Sequence, residues 1–238
     1  MLKVITLNAA ILDVRILGHS FHRPVNYIDA RLDALASALQ HSAADLVFLQ
    51  ELFHRDKQDH LCQMLKKQYP YVNGLAPAGW KLRLGNELLT LSRFPLPSGR
   101  LVRFNNAPAE ELRHTSKGFY HMTTELPDLG KVNLINFHMS AGGKKEHPES
   151  KQMEAIRARQ IQQVIEYASG LDKTILAGDL NAGTEISTRN YQQLISAGFY
   201  DLFAAHGSTG ISWDPANPLV IQGRESQLPA QRIDHIFT

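Results

Sequence analysis

The sequence is short of the features that declare a function at a glance. Its 238 residues contain one cysteine, Cys62, so neither an intrachain disulfide nor a cysteine-based zinc site can form. No stretch approaches the roughly 18 consecutive apolar residues that span a bilayer. Met1 runs straight into the strand-like Leu2-Lys3-Val4-Ile5-Thr6-Leu7, without the charged and apolar regions of an export leader, so a cytoplasmic location is expected. The formal net charge is only +2, too small by itself to attract nucleic acid or an anionic membrane. Phosphate-cradling P-loops and serine-nucleophile motifs are absent. With no repeat, low-complexity tract or linker to divide the chain, residues 1–238 are expected to form one domain.

What is present is a set of buried-strand and amphipathic-helix patterns. Asp45-Leu46-Val47-Phe48-Leu49-Gln50 and Thr174-Ile175-Leu176-Ala177 are short, apolar and bounded by polar residues, as buried strands are. Leu88 to Ser92, Leu101 to Phe104, Phe119 to Glu125 and Lys131 to His138 also read as strands. Pro127, Asp128 and Gly130 make a hairpin of the last two. Leu32, Leu35, Ala36 and Leu39 recur at helical spacing. Further helices are expected from Arg55 to Gln68, from Pro148 to Ser169 and from Thr188 to Ala197. Ala9 to Tyr27 reads as a long loop with many apolar members: Ile11, Leu12, Val14, Ile16 and Leu17. These either pack beneath a short helix or form a lip for peripheral contact with a lipid surface. Strands outnumber helices, and hairpins mix with crossovers, so the pattern predicts a layered α/β or α+β domain.

Chemistry concentrates at the strand ends. Gly178-Asp179-Leu180-Asn181 follows a buried strand, and a carboxylate and an amide two residues apart face the same side. Asn8 ends the first strand, Glu51 the strand after Asp45, and Asn136 and His138 close another. Asp234 lies in the last apolar piece. Alone, each such residue is an ordinary turn former or helix cap. Together they suit a pocket where strand ends converge.

In chain order, TLN (6–8), LQE (49–51), LSRFPL (91–96), NFH (136–138), GDLN (178–181) and RIDH (232–235) resemble the motifs of the endonuclease/exonuclease/phosphatase superfamily of metal-dependent phosphodiesterases. The likeness covers nearly the whole chain. It implies an α/β (α+β) four-layer sandwich of two packed mixed β-sheets flanked by helices. It implies Mg²⁺, with Mn²⁺ as the alternative, near Glu51 and Asn8. It also implies Asp179 and Asn181 placing the water and the phosphate, and His138 donating to a phosphate oxygen. Asn136 and Lys117 are assigned to substrate binding, and Asp234 to the catalytic set. Mg²⁺ prefers hard oxygen ligands and retains waters, which suits one carboxylate with amide help.

Within the superfamily the chain most resembles neutral sphingomyelinase-like phospholipases C. Ser116-Lys117-Gly118-Phe119, Arg157-Ala158-Arg159-Gln160, and Ser212-Trp213-Asp214-Pro215 with Asn217-Pro218-Leu219 lean that way. A phosphodiester substrate with a lipid head group is therefore favoured over nucleic acid, since Arg and Lys form no clear stripe. The rival readings are a nuclease or RNA deadenylase of the same superfamily, and a catalytically incomplete domain that binds a phosphate-bearing ligand. The last rests on a departure: the family's closing Ser-Asp-His motif, some 20 residues beyond RIDH, does not follow Asp234. A last strand is expected to be lacking with it, leaving a sheet edge to be covered or paired. His235, adjacent to Asp234 on a strand, should face away from the site.

Overall fold

The structure, a computed structural model, describes residues 1–11, 14–16, 19–22, 27–76, 87–97, 99–109, 111, 116–142, 147, 149–218 and 228–238. Its strands are β1 (Val4–Ile11), β2 (Val14–Ile16), β3 (His19–His22), β4 (Leu46–Leu52), β5 (Tyr71–Asn73), β6 (Leu89–Ser92), β7 (Arg100–Arg103), β8 (Gly118–Leu126), β9 (Gly130–His138), β10 (Thr174–Asp179) and β11 (Asp234–Phe237). The helices are α1 (Ile28–Ser42), α2 (Arg55–Leu65), α3 (Lys151–Ala168), α4 (Thr188–Ser196) and α5 (Leu202–Ala205). One sheet has the order β1-β4-β6-β5, the other β11-β10-β9-β8-β7, and β2 pairs with β3 as a separate hairpin.

Each layer follows from how apolar residues are spaced. In α1, Ile28, Leu32, Ala36 and Leu39 form one buried stripe that packs with Leu61 and Leu65 of α2 on Val47 and Leu49 of β4. The alternate residues Leu46 and Phe48 point the other way, onto Met122, Leu134, Ile175 and Ala177 of the second sheet. That double burial is why β4 reads as a continuous apolar run. The outer face of the second sheet, with Phe119, Ile135, Phe137 and Leu176, takes Ile161 and Val164 of α3 and Leu194 of α4. The result is a four-layer sandwich: helices, sheet, sheet, helices. Ser150 starts α3 by accepting a hydrogen bond from Met153 N–H. None of the described helices is long and apolar enough to cross a membrane.

Several boundaries differ from the sequence expectation. The segment from Ala9 is no loop at its start. β1 runs on to Ile11, and Ala9 and Ile11 are core residues, tied down by the Arg31 guanidinium, which donates to the Ala9 and Ala10 carbonyls. Two short strands then form the β2–β3 hairpin. Leu12 and Leu17 lie outside the described residues, as do the side chains of Val14 and Ile16, and with them the proposed lip. Pro148 lies outside as well, and α3 begins at Lys151. The outer side of β11 is not bare. Tyr200 and Thr238 exchange two backbone hydrogen bonds, 2.9 and 3.0 Å, and Asp201 bridges Phe237.

Between the sheets, above the apolar core, lies a layer of polar side chains. Gln50 Nε2 donates to Asn136 Oδ1 at 2.9 Å and to Thr6 Oγ1 at 3.2 Å. Asn136 Nδ2 donates to the carbonyls of Leu49 and Leu89, each at 3.2 Å. Asn136 is fully buried, so its amide ties one sheet to the other and does not meet a substrate, which corrects the role expected for it. Replacing it should leave several buried groups unpaired at once. Asn136→Leu, close in volume, is expected to cost about 3 kcal/mol in a denaturant titration while keeping the far-UV spectrum, since each orphaned buried group costs about 1–3 kcal/mol.

Candidate active site

The site stands one step above that polar layer, at the ends of the central strands. Register sets it. On β10 and β9 Asp179 is opposite His138, and on β10 and β11 it is opposite Asp234, so the three lie side by side across adjacent strands. Alternation carries all three onto the face that Ile175 and Ala177 turn toward the other sheet. Gly178 permits the spacing, because a Cβ there would sit 1.9 Å from the Phe137 carbonyl oxygen. Across the gap, regular pairing of β1 and β4 breaks between Asn8 and Ile11. Glu51 takes φ 55° and Ala10 φ 49°. A left-handed glutamate inside a strand is strained, and such strain gathers where a side chain must be re-aimed.

One amide joins the two sides. Asn8 Nδ2 donates to Glu51 Oε1 at 2.9 Å and to Asp179 Oδ2 at 3.0 Å, while its Oδ1 accepts from Ala10 N–H at 3.0 Å. Asp179 Oδ1 accepts from Asn181 N–H at 2.8 Å, and Asn181 Nδ2 donates to the Met139 carbonyl at 3.1 Å. His138 Nε2 lies 3.8 Å from Glu51 Oε1 and 3.7 Å from Asp179 Oδ2, too far for hydrogen bonds. His138 Nε2 and Asp234 Oδ1 are both buried without a hydrogen-bond partner among the described residues.

Behind the imidazole sits a pair of charges. His138 Nδ1 is 3.1 Å from Glu87 Oε1, and Lys117 Nζ is 3.4 Å from the same oxygen and 3.1 Å from Nδ1. Burial pulls the His138 pKa down, but Glu87, with help from Asp179 and against the Lys117 charge, more than reverses this and raises it to about 9. Burial pushes the Glu87 carboxyl up, and His138 and Lys117 bring it down to about 2. Asp234 is pushed well above the usual carboxylate range by burial and by the Asp179 charge.

The structure therefore brings Asn8, Glu51, His138, Asp179, Asn181 and Asp234 together. Lys117 is placed behind His138, its side chain 8% exposed. Sequence reasoning missed Glu87. It precedes the apolar run Leu88–Leu91, and because β6 runs antiparallel to β4, the start of β6 meets the end of β4, where Leu52 N–H donates to the Glu87 carbonyl. That acid-before-strand pattern was the available signal. His235 faces away and is buried against Asp201 and the Ala182 carbonyl.

A divalent cation fits the donor set. Glu51, Glu87, Asp179 and Asp234 gather at one site, and the cations His138 and Lys117 both lie close to Glu87. Glu51 and Asp179 share a single neutral amide. Among the described residues no three His, Cys, Asp or Glu enclose one point, so an ion at Glu51 would have few protein ligands and keep its waters, as Mg²⁺ does.

A model of the endonuclease/exonuclease/phosphatase family matches residues 18–238. A curated phospholipase C of Staphylococcus aureus is 24% identical over 231 residues, covering 87% of this chain and 66% of its own length; the chain thus spans just under two thirds of that relative. Sphingomyelinase C from Streptomyces griseocarneus superposes with a TM-score of 0.78 at 21% identity, over 99% of this chain and 82% of that one. A beta-toxin mutant from Staphylococcus aureus with bound magnesium ions gives a TM-score of 0.77 at 19% identity, over 99% and 83%.

The Glu87–His138 pair makes a prediction about charge. Its stabilisation of protonated His138 is full below the ordinary histidine pKa of about 6.5 and is lost as pH rises through about 9. Glu87→Gln should move the His138 titration, followed by NMR, below 6.5, because burial then acts with little opposition. It should also cost about 3 kcal/mol in stability, as breaking a buried pair does. An unmoved titration would show that Glu87 does not set the charge of the ring.

Proposed function

The chain belongs to the endonuclease/exonuclease/phosphatase family, and from that premise we propose that it is a phosphodiester hydrolase of the phospholipase C kind, acting on a lipid diester. The observation that carries the reading is the row His138, Asp179 and Asp234 on adjacent strands, facing Glu51 and Asn8 of the other sheet. The lipid preference draws on the phospholipase C and sphingomyelinase C among the chain's relatives, and the low net charge is in keeping with it.

Phosphodiester cleavage needs in-line positioning of water and phosphate and stabilisation of charge on the phosphate oxygens. His138 retains its proton at neutral pH and has an unspent Nε2–H; it donates to a phosphate oxygen. Asp179, with Oδ1 fixed by the Asn181 backbone, orients the attacking water. As the new oxygen–phosphorus bond forms and the bond to the lipid alcohol breaks, the proton of the water passes to Asp179, and the departing alkoxide takes a proton in turn from the Asp179–Asp234 pair, whose Asp234 carboxyl is pushed up by burial and by the Asp179 charge. Glu51, with Asn8 beside it, would hold Mg²⁺, or Mn²⁺ in its place. The bound ion supplies Lewis-acid stabilisation of the phosphate and the leaving oxygen, and the magnesium-bearing beta-toxin structure favours that choice.

The test is a panel of sphingomyelin, phosphatidylcholine, a model diester and short RNA, with and without Mg²⁺. Lipid hydrolysis that requires the ion is expected. His138→Ala should lower kcat by ~10²–10⁴-fold, and Glu51→Gln should abolish Mg²⁺ binding in calorimetry with the fold retained. Cleavage of RNA alone would assign the site to a nuclease. Binding of a phosphodiester without turnover would assign it to ligand capture.

A further inference from the structure

The segment that follows Asp179 is held against the last strand. Leu180 N–H donates to the Ile233 carbonyl at 2.8 Å. Two residues on, Ala182 is fully buried, and its carbonyl lies 2.9 Å from His235 Nε2. A carbonyl only accepts, so that ring nitrogen carries a hydrogen and donates. The N–H of the same peptide unit, on Gly183, donates to the Ile186 carbonyl at 2.8 Å. Gly183 is pressed onto Arg232, where a Cβ would stand 2.1 Å from the carbonyl oxygen. The imidazole is itself fixed. Its Nδ1 is 2.8 Å from Arg232 Nη1 and 3.1 Å from Asp201 Oδ2, and the ring stacks on Phe237 with 5.3 Å between centroids.

Asn181 stands between these anchored peptide units. It takes φ 51°, a left-handed conformation that persists where the surroundings impose it. In that conformation its N–H reaches Asp179 Oδ1 at 2.8 Å, and its side chain donates to the Met139 carbonyl. Met139 holds the side chain, whereas the backbone after Asn181 depends on the Ala182–Gly183 unit. Without the imidazole the buried Ala182 carbonyl loses its donor, and the peptide turns to find another. We propose that His235 is a positioning residue: through the Ala182 carbonyl, its Nε2–H holds Asn181 in the conformation whose N–H fixes Asp179. The proposal rests on the reading above that Asp179 orients the attacking water. It gives Asp234 and His235, on opposite faces of one strand, complementary tasks around the same carboxylate.

Two amide substitutions separate the bonds of the ring. In His235→Gln the amide nitrogen takes the place of the imidazole Nε2 and keeps a donor for Ala182. In His235→Asn the amide takes the place of Nδ1 and leaves Ala182 without one. Both lose the ring and its stacking, so a merely structural role would treat them alike. Hydrogen exchange of the Asn181 amide is followed by NMR, and kcat and KM are measured on sphingomyelin micelles and on bis(4-nitrophenyl) phosphate with Mg²⁺. In His235→Asn the Asn181 amide should exchange ~10-fold faster or more, as a locally loosened segment does. There kcat should fall ~10²-fold at nearly unchanged KM, the effect of a small misplacement of an orienting group. His235→Gln should stay within about threefold of the wild type in exchange and in kcat. Equal losses in the two variants, or an unchanged Asn181 amide or kcat in His235→Asn, overturn the proposal. If His235→Asn does not fold by circular dichroism, His235→Phe serves as the donor-free variant, and loss of protection or activity in a folded His235→Gln still overturns it. If the wild-type chain hydrolyses no diester, the reading of Asp179 falls, and exchange of the Asn181 amide alone decides whether His235 holds it.

Discussion

Two carboxylates from different sheets, Glu51 and Asp179, are held by one neutral amide, and the rest of the site is arranged around that contact. Two like charges held on one donor repel each other. The Asn8 hydrogen bonds, 2.9 and 3.0 Å, offset part of this. They also demand that β1, β4 and β10 end at one level. The polar layer beneath enforces it, because Asn136 on β9 reaches the Leu49 and Leu89 carbonyls of the opposite sheet, and a slip of one residue would turn its amide to the other face. The gap between the sheets thus passes upward from apolar core to satisfied amides to unsatisfied charge. The last step is where a cation and a phosphate have something to offer.

His138 shows how the chain makes a buried positive charge tolerable. A histidine so enclosed would ordinarily lose its proton, and Glu87 reverses that. Lys117 in turn keeps Glu87 ionised and its own pKa is raised in the acidic surroundings, despite burial that works against it. With Nδ1 occupied by the close approach of Glu87 Oε1 and Lys117 Nζ, each at 3.1 Å, the ring offers Nε2 to the open side, between Glu51 and Asp179. A single orientation and a fixed charge are what a phosphate oxygen requires of its donor.

The sequence made the central strands and their polar ends legible because period-two alternation survives in short apolar runs. Asp45–Gln50, Thr174–Asp179 and the last strand each place a residue that alternation assigns to the inter-sheet face, and register then aligns His138, Asp179 and Asp234. Asn136 obeys the same alternation as His138, and the sequence could not separate them. Only the depth of each along β9 decides that one amide is buried in the polar layer and the other side chain reaches the site. Glu87 was hidden because its partner is 51 positions away in the chain and its role depends on the antiparallel pairing of β6 with β4. The segment after Asn8 misled for another reason. Ala9 and Ala10 carry no strand propensity, Ala10 takes φ 49°, and Arg31 from α1 holds both carbonyls in place.

The last strand is held from both faces, and this bears on Asp234. Its inner face carries Asp234 and Ile236. Its outer face carries His235 and Phe237, with Arg232 just before them. Asp201 Oδ2 lies 2.9 Å from Arg232 Nη1 and 3.1 Å from His235 Nδ1, and it accepts from Tyr191 O–H at 3.0 Å. Its other oxygen caps α5 by accepting from Phe203 N–H. Four side chains from three segments therefore fix a strand of four residues at the edge of its sheet, where strand ends otherwise fray. The inner face needs such backing. Asp234 is pressed against Asp179, and its raised pKa records an unfavourable approach of like charges. A strand loosely held would relieve that repulsion by moving away. The buried Asp201 network on the opposite face resists the movement, so the carboxyl stays beside Asp179 and the strain appears as a raised carboxyl pKa instead of a displaced strand.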